Sequence, residues 1–205
     1  MNDADKQLII NYLAGDDRSF ESLVRRHLKP VYNFLARFTG GRETDDLVQE
    51  TFLRAWKNLN RFDIERDFRV WLFTIARNVG IDWLRKNKRH VTVSLDQEDD
   101  DDIPLAEKIG DSAPRAEELT DLALQKDDVR EIIAGLSPHY QMVLSMRYEE
   151  DLTFQDISDI LGVSINTVKS RYRRAIAIIK KRAGEIELKA RGQNKAGAKM
   201  DDAPK

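Results

Sequence analysis

The stretch 152–171 most constrains the fold of this chain, because its pattern specifies two helices joined by a tight turn. Thr153 can cap the first helix with its side-chain oxygen, and an apolar stripe at helical spacing follows it. Gly162 stands where the chain must leave that helix, since glycine tolerates the left-handed backbone that ends many helices. Ser164 then begins the second helix. The pattern therefore predicts a helix-turn-helix.

The second helix of this motif is expected to have one apolar and one polar face. Val163 and Val168 can pack back onto the first helix. The outward positions are Asn166, Lys169, Ser170, Arg173 and Arg174. Further cations follow at Lys180, Lys181 and Arg182, and contacts with DNA phosphates need such charge. A helix-turn-helix can also be plain core packing, but the basic run favours DNA binding.

The composition of the chain limits the kind of protein that can carry this motif. A length of 205 residues favours one or two domains, and a hydrophobic content of 41% can build small cores. The net charge of -2 hides a strong segregation, because basic residues crowd 85–89 and 169–182 while 96–102 is almost wholly acidic. The chain has no cysteine, which excludes disulfides, cysteine-ligated zinc and a thiol nucleophile.

No metal or cofactor is expected. His27, His90 and His139 have no second histidine or carboxylate at ligand spacing beside them, so we predict surface or capping roles for all three. The aspartates of 96–102 could suggest a cation site. Nothing in the sequence fixes their geometry, however, and a solvated run is the favoured interpretation.

The amino-terminal residues do not resemble an export signal. Residues 1–6 lack the basic start and apolar run of a secretory signal, and no apolar stretch approaches the length of a membrane span. We therefore expect a cytoplasmic protein with no direct membrane insertion.

Apolar residues recur every three or four positions along the amino-terminal half, which predicts amphipathic helices. The first opens near Asp16 and closes at Gly40, with a possible bend at Pro30.

Two more helices follow in this half. The second begins near Thr44, and the third runs from about Asp67 to Arg89. Trp71 and Trp83 fall on a mostly apolar face of the third helix, where a core role is favoured over stacking on a ligand.

The sequence predicts an all-α fold with two small helical domains joined by a flexible acidic linker. The only strand candidate, 91–95, is too short and isolated to hold a sheet. Acidic residues and prolines in 96–118 describe a self-repelling linker. It divides a helical domain at 1–95 from a second at 119–183, which carries the helix-turn-helix. The tail 184–205, rich in Gly, Ala and Lys, is predicted to be disordered.

Two motif sets resemble the conserved regions of bacterial sigma factors. Residues 46–56 read Asp-Leu-Val-Gln-Glu-Thr-Phe-Leu-Arg-Ala-Trp and, with Phe62 and residues 71–78, resemble the second region of that family. The helix-turn-helix resembles the fourth region. No third-region domain stands between them, which is similar to the extracytoplasmic-function (ECF) group of the sigma-70 family. The resemblance covers about residues 16–182 and implies an RNA polymerase sigma factor that directs core polymerase to promoters and helps to open DNA.

The first motif set offers a polar helix side for docking. Asp46, Gln49 and Glu50 share that side, which is either a solvated face or an interaction surface. The resemblance implies the second, with these residues, Phe52 and Trp56 contacting a coiled coil of the polymerase core enzyme. Phe52 and Trp56 can also be shared with the core of the domain. Carboxylates and amides suit docking because they accept hydrogen bonds from basic side chains.

The resemblance places the minus-ten promoter element at the loop 62–67 and the helix after it. Phe62, Asp63 and Ile64 would receive a flipped base, and Asn78 would hydrogen-bond a base edge. The cations that would hold phosphates are Arg77, Arg85, Lys86, Lys88 and Arg89. Ile64 stands where the family often carries a small residue, so the base preference here is open.

The resemblance also assigns the second helix of the motif to the minus-thirty-five element. Asn166, Lys169, Ser170, Arg173 and Arg174 would face the major groove. The planar fork of arginine matches the two acceptors of guanine, while lysine and serine serve a base or a phosphate. Relatives often have an apolar or aromatic residue at the position of Arg173, which leaves both a base and a phosphate contact open for it.

The expected partners are core RNA polymerase, promoter DNA and an anti-sigma factor, which is usual for this group. The alternative is a stand-alone helix-turn-helix transcriptional regulator, which needs a receiver domain that the helical amino-terminal half does not offer. An enzyme is disfavoured because the sequence shows neither paired acids on a rigid pocket, nor a Gly-rich phosphate loop, nor a Ser/His arrangement. We therefore expect no enzymatic activity.

Overall fold

The computed structural model describes residues 3–87 and 126–197, which contain no strand. Its α-helices are α1 (Asp3–Leu13), α2 (Asp17–Thr39), α3 (Thr44–Asn58), α4 (Phe68–Lys86), α5 (Lys126–Ala134), α6 (Pro138–Tyr148), α7 (Phe154–Leu161) and α8 (Ile165–Gly197). This confirms the predicted all-α fold. The strand candidate 91–95, the acidic linker 96–118 and His90 lie outside the described residues.

Helices α2 and α4 begin at the residues that the sequence predicts, and α2 also ends where predicted. Asp16 accepts a hydrogen bond from the backbone N of Arg18, and Gly40 closes α2 with a φ of 61°. The helix continues through Pro30. Asp67 caps α4 by accepting from the backbone N of Arg69 at 2.9 Å. Local capping therefore accounts for both ends of α2 and for the start of α4.

Helix α1 was not predicted, and a buried polar cluster attaches it to α2. Asp5 is only 1% exposed; its Oδ1 accepts from Arg26 Nη1 at 2.8 Å, and its Oδ2 lies 3.2 Å from His27 Nε2. Burial alone would raise the pKa of Asp5, but the hydrogen bonds from His27 and Arg26 outweigh it and lower that pKa. The prediction of a surface or capping role for His27 is therefore wrong, because this histidine is buried beneath α1.

Aromatic rings fill the space between α2 and α4. The ring of Phe34 lies 5.2 Å from that of Phe38 and 5.3 Å from that of Phe73, both edge-on. Gly80 of α4 lets the backbones approach, because a Cβ at this position would lie 2.8 Å from Cγ of Phe38. This close packing against α2 fixes the position of α4, which also packs against α3.

The carboxy-terminal domain is built around α8. Tyr172 of α8 is 2% exposed, and its hydroxyl lies 2.5 Å from that of Tyr148 at the end of α6. Residues 184–197 continue α8. The disorder expected for the tail stays a prediction. Residues 198–205 lie outside the described part.

The two domains lie against each other. Helix α7 packs on α4, and α6 packs on α2. This arrangement brings the helix-turn-helix next to the helix that the sequence analysis assigns to the minus-ten element.

Candidate nucleic-acid interface

The helix-turn-helix forms as its capping residues predict. Thr153 Oγ1 accepts from the backbone N of Asp156 at 3.1 Å, and Asp156 Oδ2 accepts from the backbone N of Thr153 at 2.9 Å. These reciprocal bonds form a capping box at the start of α7. Gly162 ends α7 with a φ of 65°. The turn is therefore fixed by hydrogen bonds at both ends of an eight-residue helix.

The polar face of α8 points away from the core of its domain. Ser164 Oγ accepts from the backbone N of Thr167 at 3.0 Å, and Val168 is fully buried against the other helices. The predicted groove-reading residues are exposed or half-buried: Asn166, Lys169, Ser170, Arg173 and Arg174. Their spacing places them along one side of α8. Arginine and lysine on such a face can meet base edges or phosphates.

Arg147 has a structural role in this domain. Its guanidinium carbon lies 5.4 Å from the centre of the Phe154 ring, and its Nη1 donates to the carbonyl of Leu152 at 2.9 Å. The Phe154 ring in turn lies 5.2 Å from that of Tyr172. Arg147 therefore connects the loop before α7 to the core under α8.

A cavity of about 310 Å³ opens between α3 and α4. Its lining residues are Arg54, Asn58, Arg61, Trp71, Ile75 and Asn78. An aromatic ring, two amides and two guanidinium groups are the chemistry that an unstacked base and its phosphates require. Asn78 was predicted for this task, and Trp71 was favoured as a core residue but forms part of the wall. Arg54, Asn58 and Arg61 were missed, although 54 and 58 share a helix side by their spacing of four.

The loop before α4 packs against Trp71, one of the residues that line the cavity. Phe62 is 9% exposed, and its ring lies 4.9 Å from that of Trp71 and 5.7 Å from that of Phe68. Asp63 is exposed and accepts from the backbone N of Glu65 at 3.1 Å, which fixes the turn. Phe62 was predicted to contact a flipped base, but its ring is buried in the aromatic packing against Trp71.

Arg54 is held at the mouth of the cavity by two carboxylates. Its Nε donates to Glu50 Oε1 at 2.7 Å, and its Nη1 lies 3.4 Å from Asp82 Oδ2. The hydrogen bond that Arg54 donates to Glu50 has the largest effect on its pKa and raises it. Arg54 is thus a fixed guanidinium at the cavity, with its charge balanced by Glu50 and Asp82.

The cations predicted for the minus-ten phosphates differ in their surroundings. Arg85 is 70% exposed at the end of α4, with its Nη1 3.9 Å from Asp82 Oδ1, and Lys86 beside it is exposed. Arg77 instead lies against Gly162 of the helix-turn-helix, since a Cβ at Gly162 would be 3.1 Å from Arg77 Nη2. The remaining two predicted cations, Lys88 and Arg89, lie outside the described residues.

The predicted docking side of α3 is only partly accessible. Asp46 and Gln49 are exposed and Glu50 is half-buried, whereas Phe52 is 8% exposed and belongs to the core. Trp56 is 49% exposed.

Leu53 lies on the same helix and is 42% exposed, although the sequence analysis did not select it. Adjacent exposed leucine and tryptophan side chains indicate a surface that binds a partner. The helical pattern of the sequence alone does not reveal this exposure.

None of the helices within 3–87 and 126–197 is both long and apolar enough to cross a bilayer. The same residues contain no group of three or more His, Asp or Glu side chains arranged to hold a metal ion.

Comparison with known proteins identifies the family. Residues 23–90 match the family described as Sigma-70 region 2, and residues 126–179 match Sigma-70, region 4. The ECF RNA polymerase sigma factor SigW of Bacillus subtilis is 28% identical over 183 residues, which is 88% of this chain and 97% of SigW. The RNA polymerase sigma factor CnrH of Cupriavidus metallidurans is 32% identical over 177 residues, or 85% of this chain and 92% of CnrH.

The fold agrees with these matches. The structure of CnrH in complex with the cytosolic domain of CnrY superimposes with a TM-score of 0.55 at 26% identity, covering 87% of this chain and 96% of that one. The first matched region covers most of α2 and all of α3 and α4, and the second covers α5, α6, α7 and the first part of α8, in the order that the sequence motifs predict. The chain therefore belongs to the sigma-70 family and is an RNA polymerase sigma factor of the ECF group.

Proposed function

We propose that this sigma factor captures an unstacked base of the minus-ten element in the cavity between α3 and α4. The observation that carries the proposal is the cavity itself, where Trp71 can stack on a base and Asn78 can bond its edge. Asn58 supplies a second amide. Arg54 and Arg61 lie at the same opening and can neutralise the phosphates beside the base.

The neighbouring residues have supporting roles in this proposal. Phe62 holds Trp71 in place through ring contact, and Asp63 fixes the loop. Ile64 is half-buried against the core, so it shapes the loop from inside. Arg85 and Lys86 extend the line of positive charge along α4 toward the next phosphates, and Lys88 and Arg89 continue it in sequence.

Base capture can be tested with a fluorescent base analogue placed at successive positions of the non-template minus-ten strand. With core polymerase present, Asn78→Ala should reduce the fluorescence rise that accompanies unstacking more than it reduces closed-complex binding, because its amide meets a base only after unstacking. Asn60→Ala is the matched control, since Asn60 is exposed but does not line the cavity. Equal losses in closed and open complexes would count against the assignment.

Docking to core polymerase is proposed for the exposed side of α3. Asp46, Gln49 and Glu50 supply hydrogen-bond acceptors, while Leu53 and Trp56 supply exposed apolar area. Phe52 takes part indirectly, since its buried ring packs in the core from which this side of α3 projects. An apolar centre with a polar border is the composition expected of a protein interface.

The minus-thirty-five element is proposed to lie against the polar side of α8. Asn166, Lys169 and Ser170 occupy the first turns of this helix, which is the part that enters the major groove in helix-turn-helix proteins. Arg173 and Arg174 come one turn later and can reach either a guanine or a phosphate.

A protein partner is proposed as well. The relative CnrH was solved with the cytosolic domain of CnrY bound, and this chain aligns with nearly the whole of that CnrH chain. We extend this to an anti-sigma factor that withholds the present chain from polymerase. A cytoplasmic location is proposed with it, because polymerase and promoter DNA are met there. The family's function requires no catalytic group or cofactor of its own.

A further inference from the structure

We propose that helix α1 positions the site that captures the minus-ten base, although it lies before residues 23–90, the part that matches Sigma-70 region 2. Two sets of contacts carry this role. Lys6 holds the loop 62–67, and Asp5 acts through the buried His27 on the aromatic wall of the cavity. This role rests on the base capture proposed above. Lys6, Asp5 and His27 are positioning residues, because each acts through a residue of the site.

The first turn of α1 has a fixed place on α2. The side chain of Asp5 is buried, its Oδ1 accepts from Arg26 Nη1 at 2.8 Å, and its Oδ2 lies 3.2 Å from His27 Nε2. A buried carboxylate is tolerated only where hydrogen-bond donors meet it, so few other placements of α1 would satisfy Asp5. Ile9, one turn later, is fully buried as well. Lys6 therefore projects from a fixed point of the backbone.

Lys6 connects this turn to the minus-ten loop. Its Nζ lies 2.8 Å from Glu65 Oε1, across 59 residues of sequence. Inside the loop, Asp63 accepts from the backbone N of Glu65 at 3.1 Å. The two ends of the loop are held by aromatic packing and by the cap of α4. Lys6 adds an attachment between those ends.

The same contact neutralises a carboxylate at a surface proposed to meet DNA. Asp63 and Glu65 are both exposed, and two unpaired acids in one loop would repel the phosphates of the strand. Asp63 Oδ2 lies 3.6 Å from Arg66 Nε, and Glu65 is paired with Lys6. With both acids paired, the loop presents little net negative charge to the strand.

The second set of contacts runs through aromatic rings. The ring of His27 lies 5.4 Å from that of Phe68, the first residue of α4. The Phe68 ring lies 5.7 Å from that of Phe62 and 5.7 Å from that of Trp71, which lines the cavity. His27 and Phe68 are both buried, and a close-packed interior leaves little space for one ring to move alone. We therefore expect a change at Asp5 that displaces His27 to displace Trp71 as well.

The two sets of contacts differ in what they contribute to stability. An exposed ion pair such as that of Lys6 and Glu65 contributes little to the free energy of unfolding, whereas loss of the Asp5 contacts leaves buried polar groups unpaired. Variants of Lys6 and Glu65 therefore test positioning without unfolding the domain.

Charge reversal in the holoenzyme tests the contact with the loop, with the fluorescent base analogue in the minus-ten strand as the readout. Lys6→Glu and Glu65→Lys should each lower the unstacking signal about fivefold, because each places like charges side by side. The double reversal should restore the signal to within about twofold of wild type. Lys29→Glu is the control, since it makes the same charge change at an exposed position of α2 and should leave the signal unaltered.

Glu65→Lys separates positioning from plain charge. Added positive charge near DNA would by itself strengthen binding and raise the signal, whereas a displaced loop lowers it. A raised signal in Glu65→Lys, an unaltered signal in Lys6→Glu, or no recovery in the double reversal would each overturn the role of Lys6.

The aromatic contacts are tested in the full chain without polymerase, by the indole N–H resonances of its three tryptophans. Replacing Trp71 and Trp56 by Phe in turn assigns their resonances. Asp5→Asn should shift the resonance of Trp71 and leave that of Trp56, which is 49% exposed on α3, unmoved. His27→Gln keeps a donor for Asp5 but removes the ring, and should shift Trp71 in the same way. Asp3→Asn, exposed on the same helix, should shift neither.

Asp5→Asn and His27→Gln should also lower the unstacking signal while binding to core polymerase is retained. An unmoved Trp71 resonance in both variants, or equal shifts of Trp71 and Trp56, would overturn the contact path from α1 to the cavity.

Failure of base capture gives a different result from failure of the role of α1. If Asn78→Ala leaves the unstacking signal unaltered, base capture is wrong and the role of α1 in it is wrong too, while the indole shifts still report on the contact path. If Asn78→Ala lowers the signal and Lys6→Glu does not, the role of Lys6 alone is overturned.

Discussion

Glu50 and Arg54 form a salt bridge along α3, with Arg54 Nε 2.7 Å from Glu50 Oε1. Glu50 belongs to the side of α3 proposed to dock on polymerase, and Arg54 lines the cavity proposed to hold a base. One i,i+4 pair thus joins the two surfaces. A change at Glu50 acts on both, so a clean test of docking must avoid this residue.

Docking should depend on the acids and amides that make no contact with the cavity. Asp46→Lys combined with Gln49→Ala should weaken core polymerase binding, because both residues are exposed on the docking side. Equilibrium binding of labelled protein to core enzyme measures this. Glu21→Lys makes the same charge change on α2 and should leave the affinity unaltered. Unaltered affinity in the double variant would reject this surface.

Substitutions in α8 should distinguish contacts with bases from contacts with phosphates. If Arg173 or Arg174 meets a guanine, its replacement by Ala should cost about 1–3 kcal/mol and relax the preference at one base pair. Replacing Lys180 and Lys181 should weaken binding evenly across sequences and flatten the salt dependence. Binding of each variant to single-base promoter changes at several salt concentrations distinguishes these outcomes. An altered salt slope with an intact base profile would make the two arginines phosphate contacts.

Two glycines in helices should respond oppositely to alanine. Gly80→Ala should lower the free energy of unfolding by about 1–3 kcal/mol, because its Cβ would lie 2.8 Å from Cγ of the buried Phe38. Gly184→Ala should raise it by about 0.5–1 kcal/mol, since nothing lies within 4 Å and alanine favours helix. Chemical denaturation of both variants measures the difference. A neutral Gly80→Ala would mean that α2 and α4 pack less closely than described.

The buried carboxylate of α1 should make stability depend on pH. The folded-state pKa of Asp5 is below its ordinary value, so its contribution is present above about pH 4 and is lost as the pH falls through the lowered pKa. Asp5→Asn should cost about 1–3 kcal/mol at pH 7 and remove this part of the acid sensitivity. Thermal unfolding between pH 7 and pH 3 tests it, with Asp3→Asn as an exposed control on the same helix. Parallel pH profiles for wild type and Asp5→Asn would contradict the prediction.

The parts of the fold that sequence reasoning predicted are those fixed by neighbouring residues. Thr153 and Gly162 bound α7 through local hydrogen bonds and backbone preference, and Asp67 starts α4 in the same way. Helix α1 was not predicted; it attaches to α2 through the polar pair Asp5 and His27, 22 residues apart, as well as through the buried Ile9. Periodicity of apolar residues carries no information about the polar part of this contact.

Only the residues of the candidate site that lie on α4 could be selected from the sequence. Asn78 and Trp71 stand in a motif on α4, whereas Arg54 and Asn58 reach the cavity because α3 packs beside α4. Phe52 is buried in the core, although its position on the helix allowed either a surface or a core role. Pairwise placement of helices decides these points, and a single sequence does not specify it.

Asp67 performs two tasks with its two carboxylate oxygens. Oδ1 caps the first turn of α4, and Oδ2 holds the guanidinium of Arg69 that reaches across to the other domain. Replacing Asp67 therefore removes a helix cap and a support of Arg69 at once, whereas replacing Arg69 removes the bond to the backbone of Glu150 and leaves the cap in place. The start of α4 and the contact between the two domains can thus be varied separately at Arg69 but only together at Asp67.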